Sequence, residues 1–180
     1  MRIRSKGAQA VTLLSVFAYL CLADQEARAQ SSQSFFRWDK YHLYDEVTSY
    51  SRHLADEYPN LVSMESAGLT TMKQRDIWVL TITNRETGAP EDKPGFFLDG
   101  GTHNQEYGGS ETCLYTAWYL ATQHGRDPEV TELQDTRTIY IMQRNDADGM
   151  EFHLTNVLDY DPADVAFPVD ADFDGGVGEY

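Results

Sequence analysis

Positive charge is what this chain has least of. Its 180 residues carry 14 Lys and Arg against 29 Asp and Glu, a formal net charge of −15, and residues 145–180 hold ten acidic side chains with no Lys or Arg. A field of that sign repels a phosphate backbone, so nucleic acid is excluded as a partner. Cysteine is nearly absent, with Cys21 and Cys113 the two in the chain, too few for a disulfide framework. No long hydrophobic run occurs: the uncharged stretch Ala8 to Ala23 has 16 residues, short of the ~20 that cross a bilayer, so no stable membrane anchor is expected. With 41% hydrophobic residues and 6 prolines the chain is nonetheless too apolar for wholesale disorder.

That uncharged stretch follows Arg2, Arg4 and Lys6 and precedes Ala27-Arg28-Ala29, small residues two apart. This is the layout of a secretory signal peptide, residues 1–29, with cleavage expected after Ala29 and a secreted or periplasmic destination. Cleavage would leave ten basic against 27 acidic residues, and would remove Cys21, leaving Cys113 as a buried small hydrophobe. Residues 30–35 read as a linker, and residues 36–180 as one domain.

Within that domain, apolar positions recur at threes and fours from Tyr41 to Tyr58 until Pro59-Asn60 stops the run, which predicts an amphipathic helix. Leu61 to Leu69 and Ile77 to Thr83 predict two strands joined by the polar connector Thr70 to Asp76. Gly95 to Asp99 is continuously apolar before Gly100-Gly101 and predicts a strand buried on both faces. Ser110 to Gln123 predicts a helix, Pro128 to Asp135 a shorter one, and Thr138 to Met142 a further strand. The order argues an α/β fold, a mixed, mostly parallel sheet flanked by helices. The acidic region 145–180 shows little periodicity and is expected to be a loop held by something positive.

The segment Asp99-Gly100-Gly101-Thr102-His103-Asn104-Gln105-Glu106 puts an imidazole and a carboxylate three residues apart, on a glycine-flanked turn after a strand. Both are zinc ligands by type, and the carboxyl end of a strand in an open α/β sheet is where functional groups collect. A hydrolytic zinc normally takes three protein ligands plus water, and this segment supplies two.

Together with its surroundings, the segment resembles the zinc carboxypeptidases of the carboxypeptidase A and B type. Tyr41-His42-Leu43-Tyr44-Asp45-Glu46 is similar to that family's opening YHTYDE, Tyr58-Pro59-Asn60-Leu61-Val62 to its YPNLV, Arg75 to Asn84 to its RDIWVLKITN, and Asp99 to Glu106 to its DGGIHxxE. Ile139 to Gly149 resembles its YIVPRxNPDG, with Gln143, Asp146 and Ala147 in place of Pro, Asn and Pro. Gln105 stands where the family often has a substrate-holding Arg. The resemblance covers about residues 36–150. It implies that His103 and Glu106 bind Zn2+, that the substrate is a peptide or protein, and that the carboxy-terminal peptide bond is hydrolysed by a zinc-activated water. It also implies that the third zinc ligand and the catalytic Glu lie beyond Tyr180, so that these residues are the amino-terminal part of a longer, incomplete-looking fold and inactive alone. His42, His53, His124 and His153 are expected to be surface or structural.

Asp170, Asp172 and Asp174 occupy positions one, three and five of a loop with Gly175 at six, the opening of an EF-hand-type site, which makes them a candidate Ca2+ site. Two rival readings of function stay open: a non-catalytic secreted binding module on the same scaffold, and an amidohydrolase acting on cell-wall peptides or acyl amino acids. The preferred side chain of a substrate and the oligomeric state are not legible.

Overall fold

A computed structural model describes residues 35–156 of the chain. The chain divides into two units, residues 1–37 and 38–180. Of the first, only residues 35–37 are described, with Phe35 and Phe36 meeting edge to face; the rest of this section concerns the second. The signal peptide, the linker up to residue 34 and the candidate calcium loop lie outside the described residues.

The second unit runs α1 (Tyr44–Glu57), β1 (Val62–Leu69), β2 (Asp76–Ile82), two single 3-10 turns, β3 (Gly95–Asp99), α2 (Tyr107–Gln123), α3 (Pro128–Thr136), β4 (Thr138–Met142) and α4 (Ala147–Asn156). Helix α1 buries Val47, Tyr50, Ser51 and Leu54, a stripe at helical spacing. Its start is fixed by Glu46, whose carboxylate reaches back to accept the Leu43 amide at 3.0 Å. The helix therefore begins after His42, which sequence reading had placed inside it. Asp127 caps α3 by accepting the Glu129 and Val130 amides, and Pro128 follows at the first helical position, where it loses no hydrogen bond.

The strands form one sheet in the order β1-β2-β4-β3. β1 with β2 and β2 with β4 are antiparallel, β3 with β4 parallel. The mixed sheet flanked by helices is as expected, and parallel pairing among the described residues is confined to β3 and β4. β4, between two neighbours, buries Thr138, Ile139 and Ile141. β3 is a correction. It was expected to be buried on both faces, yet Phe96 is 61% and Phe97 54% exposed, because among the described strands β3 is an edge with a neighbour on one side only.

Helix α1 packs on β1 and α2, and α2 packs on β2, β3 and β4. Leu54, Leu80, Ile82, Leu114, Ala117, Ile141 and Met150 are fully buried there. Each such leucine or isoleucine contributes about 1.5–3 kcal/mol by leaving water. Cys113 is buried among them and free, as expected, and burial pushes its thiol up to about 11.

The second correction concerns the acidic region. Residues 147–156 are helical, and their carboxylates are spoken for. Asp148 pairs with Arg75 at 2.7 Å, and Glu151 accepts the Tyr44 amide at 2.7 Å and lies 3.8 Å from Arg144. The positive partner anticipated from composition is thus supplied by two arginines, one of them 73 residues away. Arg144 is buried, and it also donates to the carbonyl of His42 at 2.8 Å. Burial lowers its pKa, while Glu111 and Glu151 oppose that shift. His42 itself is fully buried, and its amide and Nδ1 face the two oxygens of Glu111 at 2.9 and 2.6 Å. It is a structural histidine, as expected. Among the described residues no helix is long and apolar enough to cross a membrane.

Candidate metal centre

Strand β3 delivers the chain to the edge of the sheet where its partner β4 also ends, the carboxyl end of a parallel pair. The Gly100 amide donates to Met142 O at 2.9 Å, carrying the ladder one residue past the strand. The chain then turns sharply, with Gly101 at φ +61, a left-handed conformation that favours glycine. Space demands glycine as well. A Cβ on Gly100 would sit 2.5 Å from Gly109 O, and one on Gly101 would sit 2.6 Å from Met150 Cε. The amides of Asn145 and Asp146 donate to the carbonyls of Gly100 and Gly101 at 3.1 and 2.8 Å, so the segment after β4 pins the turn.

The pinned turn presents His103 and Glu106 together. His103 Nδ1 lies 2.8 Å from Glu106 Oε1, the His103 amide donates to Oε2 at 3.1 Å, and the Glu106 amide donates to His103 O at 3.1 Å. Glu106 also sits at the N-cap position of α2. Both side chains are open to solvent, 78% and 51% exposed. The hydrogen bond and charge of Glu106 raise the pKa of His103, with a further contribution from Asp146, and the His103 bonds lower that of Glu106. One nitrogen and one carboxylate, paired with the space before them open, are donor types that a borderline cation prefers. This pair fits part of a zinc site. Among the described residues no cluster of three or more His, Cys, Asp or Glu side chains is placed to hold a metal.

His103 borders a cleft of about 480 Å3 shared with Asn145, Asp146, Asp148 and the β1–β2 turn. Gln105 is exposed and brings no cation to it. His42, His53, His124 and His153 do not join the pair: the first is buried, His53 is half-buried on α1, His124 ends α2, and His153 is half-buried on α4. Sequence reading missed Asp148, whose carboxylate ties the β1–β2 turn to α4. The Asp148-Gly149 pair, which matches the end of the resembling segment, is the signal that could have found it. The Asp170, Asp172 and Asp174 loop falls outside the described residues.

Comparison with known proteins bears on the family and the fold. A family profile described as zinc carboxypeptidase matches residues 47–163. Carboxypeptidase A2 of Rattus norvegicus is 33% identical over 120 residues, 67% of this chain and 27% of that protein. Carboxypeptidase D of Homo sapiens is 31% identical over 111 residues, 62% of this chain and 8% of that protein. Among solved structures, thrombin activatable fibrinolysis inhibitor superposes with a TM-score of 0.58 at 25% identity, covering 69% of this chain and 29% of that one. Carboxypeptidase A from Helicoverpa armigera, at 24% identity and a TM-score of 0.57, shares the fold over 66% of this chain and 28% of its own. The chain thus spans about a quarter of the length of the rat enzyme it matches. With the profile covering well over half of its residues, the chain belongs to the zinc carboxypeptidase family.

Proposed function

We propose that the protein acts as a secreted zinc metallocarboxypeptidase that hydrolyses the carboxy-terminal peptide bond of peptide or protein substrates. His103 and Glu106 supply two of three protein ligands, and the third ligand and the general base come from outside the described residues. The observation that carries the reading is the pairing of His103 Nδ1 with the Glu106 carboxylate at 2.8 Å, solvent-open at the carboxyl end of β3. Zinc bound there would polarise the scissile carbonyl and lower the pKa of water.

The chain's own residues have a narrower task. The Glu106 carboxylate accepts from the His103 amide and faces its Nδ1, the glycine turn fixes both donors on one backbone loop, and the cleft beside them gives a substrate access to the pair. The Glu106 carboxylate, held by the His103 amide, loses little freedom on metal binding, which favours affinity. Spacing of the carboxylates with Gly175 supports an additional Ca2+ site at Asp170, Asp172 and Asp174. The uncharged stretch after Arg2, Arg4 and Lys6 supports export.

The test is hydrolysis of blocked dipeptides and tripeptides by the full-length protein, with release of the last residue followed by mass spectrometry. The proposal expects activity that a chelator abolishes and added zinc restores. Cleavage that ignores the chelator, or none from a zinc-loaded protein, contradicts it.

A further inference from the structure

Arg144 is a guanidinium only 4% exposed, and its contacts do little to offset that burial. Nη2 donates to His42 O at 2.8 Å and Nε to Ser110 Oγ at 3.3 Å. The Glu151 carboxylate stays 3.8 Å from Nη1, which has no hydrogen-bond partner among the described residues. A buried cation without a close, hydrogen-bonded counter-ion is a poor source of stability, and an apolar side chain of similar volume often serves a core equally well. What distinguishes Arg144 is where it sits.

The loop that carries His103 and Glu106 leaves β3 through Gly100 and Gly101 and enters the first turn of α2. On the strand side it is held by the two residues that follow Arg144, since the amides of Asn145 and Asp146 donate to the carbonyls of Gly100 and Gly101 at 3.1 and 2.8 Å. On the helix side it is held by Arg144 itself, through Ser110. Ser110 is fully buried, its amide donates to Glu106 O at 3.4 Å, and its Cβ lies 3.6 Å from where a Cβ on Gly101 would sit. Residues 144–146 thus grip both ends of one loop, and the bond to His42 O ties that grip to the start of α1. The side chains of the pair are 78% and 51% exposed, so backbone and mutual hydrogen bonds hold them more than packing does.

We infer that Arg144 is a positioning residue for the metal pair: through Ser110 and the two amides that follow it, it sets the loop geometry in which His103 and Glu106 meet a cation. This rests on the reading of that pair as zinc ligands and adds the residue that holds them in place. A guanidinium suits the task because its rigid fork reaches α2 and the chain before α1 at once, which a lysine or an apolar side chain does not.

The test uses the full-length protein, stripped of metal and titrated with zinc alone against a chromophoric chelator, with thermal unfolding of each metal-free variant measured alongside. Ser110→Ala removes only the hydroxyl that accepts from Nε, and Arg144→Met keeps most of the volume without the donors. Each should bind zinc about tenfold or more weakly, the usual effect of removing a group that orients a ligand. Cobalt in place of zinc should report the same defect as shifted or weakened visible bands. Val130→Ala is the control for plain loss of stability. Val130 is buried on α3, which is tied to the carboxyl end of α2 by Gly125 N to Thr131 Oγ1, about 25 Å along that helix from Glu106. That variant should melt at a lower temperature with unchanged zinc affinity. Should Arg144→Met fail to fold, Ser110→Ala decides alone. Unchanged zinc affinity in folded Ser110→Ala overturns the positioning role, as does a Val130→Ala that loses zinc affinity in step with its stability. A wild type that takes up no zinc, or a His103→Ala that binds it as the wild type does, overturns the underlying reading instead, so the two failures are told apart.

Discussion

Replacing Asp148 by Asn should uncouple the β1–β2 turn from α4. The carboxylate is 8% exposed, two backbone amides and the Arg75 guanidinium donate to it, and the Thr70 side chain also interacts with it. Asn keeps one acceptor oxygen for the amides but removes the charge opposite Arg75. A buried pair broken from one side costs about 3–5 kcal/mol. Arg75 is a quarter exposed and can recover some water, so about 2 kcal/mol is the figure to expect here. The pH dependence follows from the direction of the shift. Burial alone would raise the Asp148 pKa, but hydrogen bonds from Lys73, Arg75, Thr70 and Met72 more than offset this and lower it. A carboxyl depressed by folding contributes stability that is complete above its unfolded pKa of about 3.9 and is lost as pH falls through the lower folded value. Urea unfolding of the full-length wild type and Asp148→Asn should therefore show the full gap at pH 7, narrowing below about pH 4. A gap under about 0.5 kcal/mol at pH 7, or one of equal size at pH 7 and pH 3, would refute this reasoning.

Two further outcomes follow from close packing. Gly100→Ala places a methyl 2.5 Å from Gly109 O and 2.9 Å from Cys113 Sγ, so α2 must move; destabilisation of about 1–3 kcal/mol is expected in thermal or urea unfolding, together with weakened zinc uptake because the turn carrying His103 moves with it. Cys113, buried and with its thiol pushed up to about 11, should resist Ellman's reagent in native protein at pH 8 and react fully in denaturant; prompt native labelling would contradict the packing of α2.

How far the sequence spoke for itself depended on whether the deciding interaction was local. Helix α1 announces itself because Val47, Tyr50 and Leu54 are three and four apart, and a local carboxylate, Glu46, ends it on one side. The His103–Glu106 pair was legible for the same reason: three residues of separation and two glycines settle its geometry within one turn. The acidic stretch was misread because its order comes from elsewhere. Asp148 and Glu151 look like solvated charges until Arg75, Tyr44 and Arg144 are brought to them by the sheet and α1. β3 was misread because a continuous apolar run says that a strand can be covered on both sides, not which neighbours cover it. His42 is a third case, since nothing near it in sequence reveals that Glu111, 69 residues on, encloses its ring nitrogen.

The central claim, that His103 and Glu106 are zinc ligands, is tested most directly by native mass spectrometry of the full-length protein and of its His103→Ala and Glu106→Gln variants. The account predicts one zinc on the wild type and loss of that zinc in both variants, each still folded by circular dichroism. Zinc retained at full occupancy in both variants, or absent from a correctly folded wild type supplied with it, would contradict the claim.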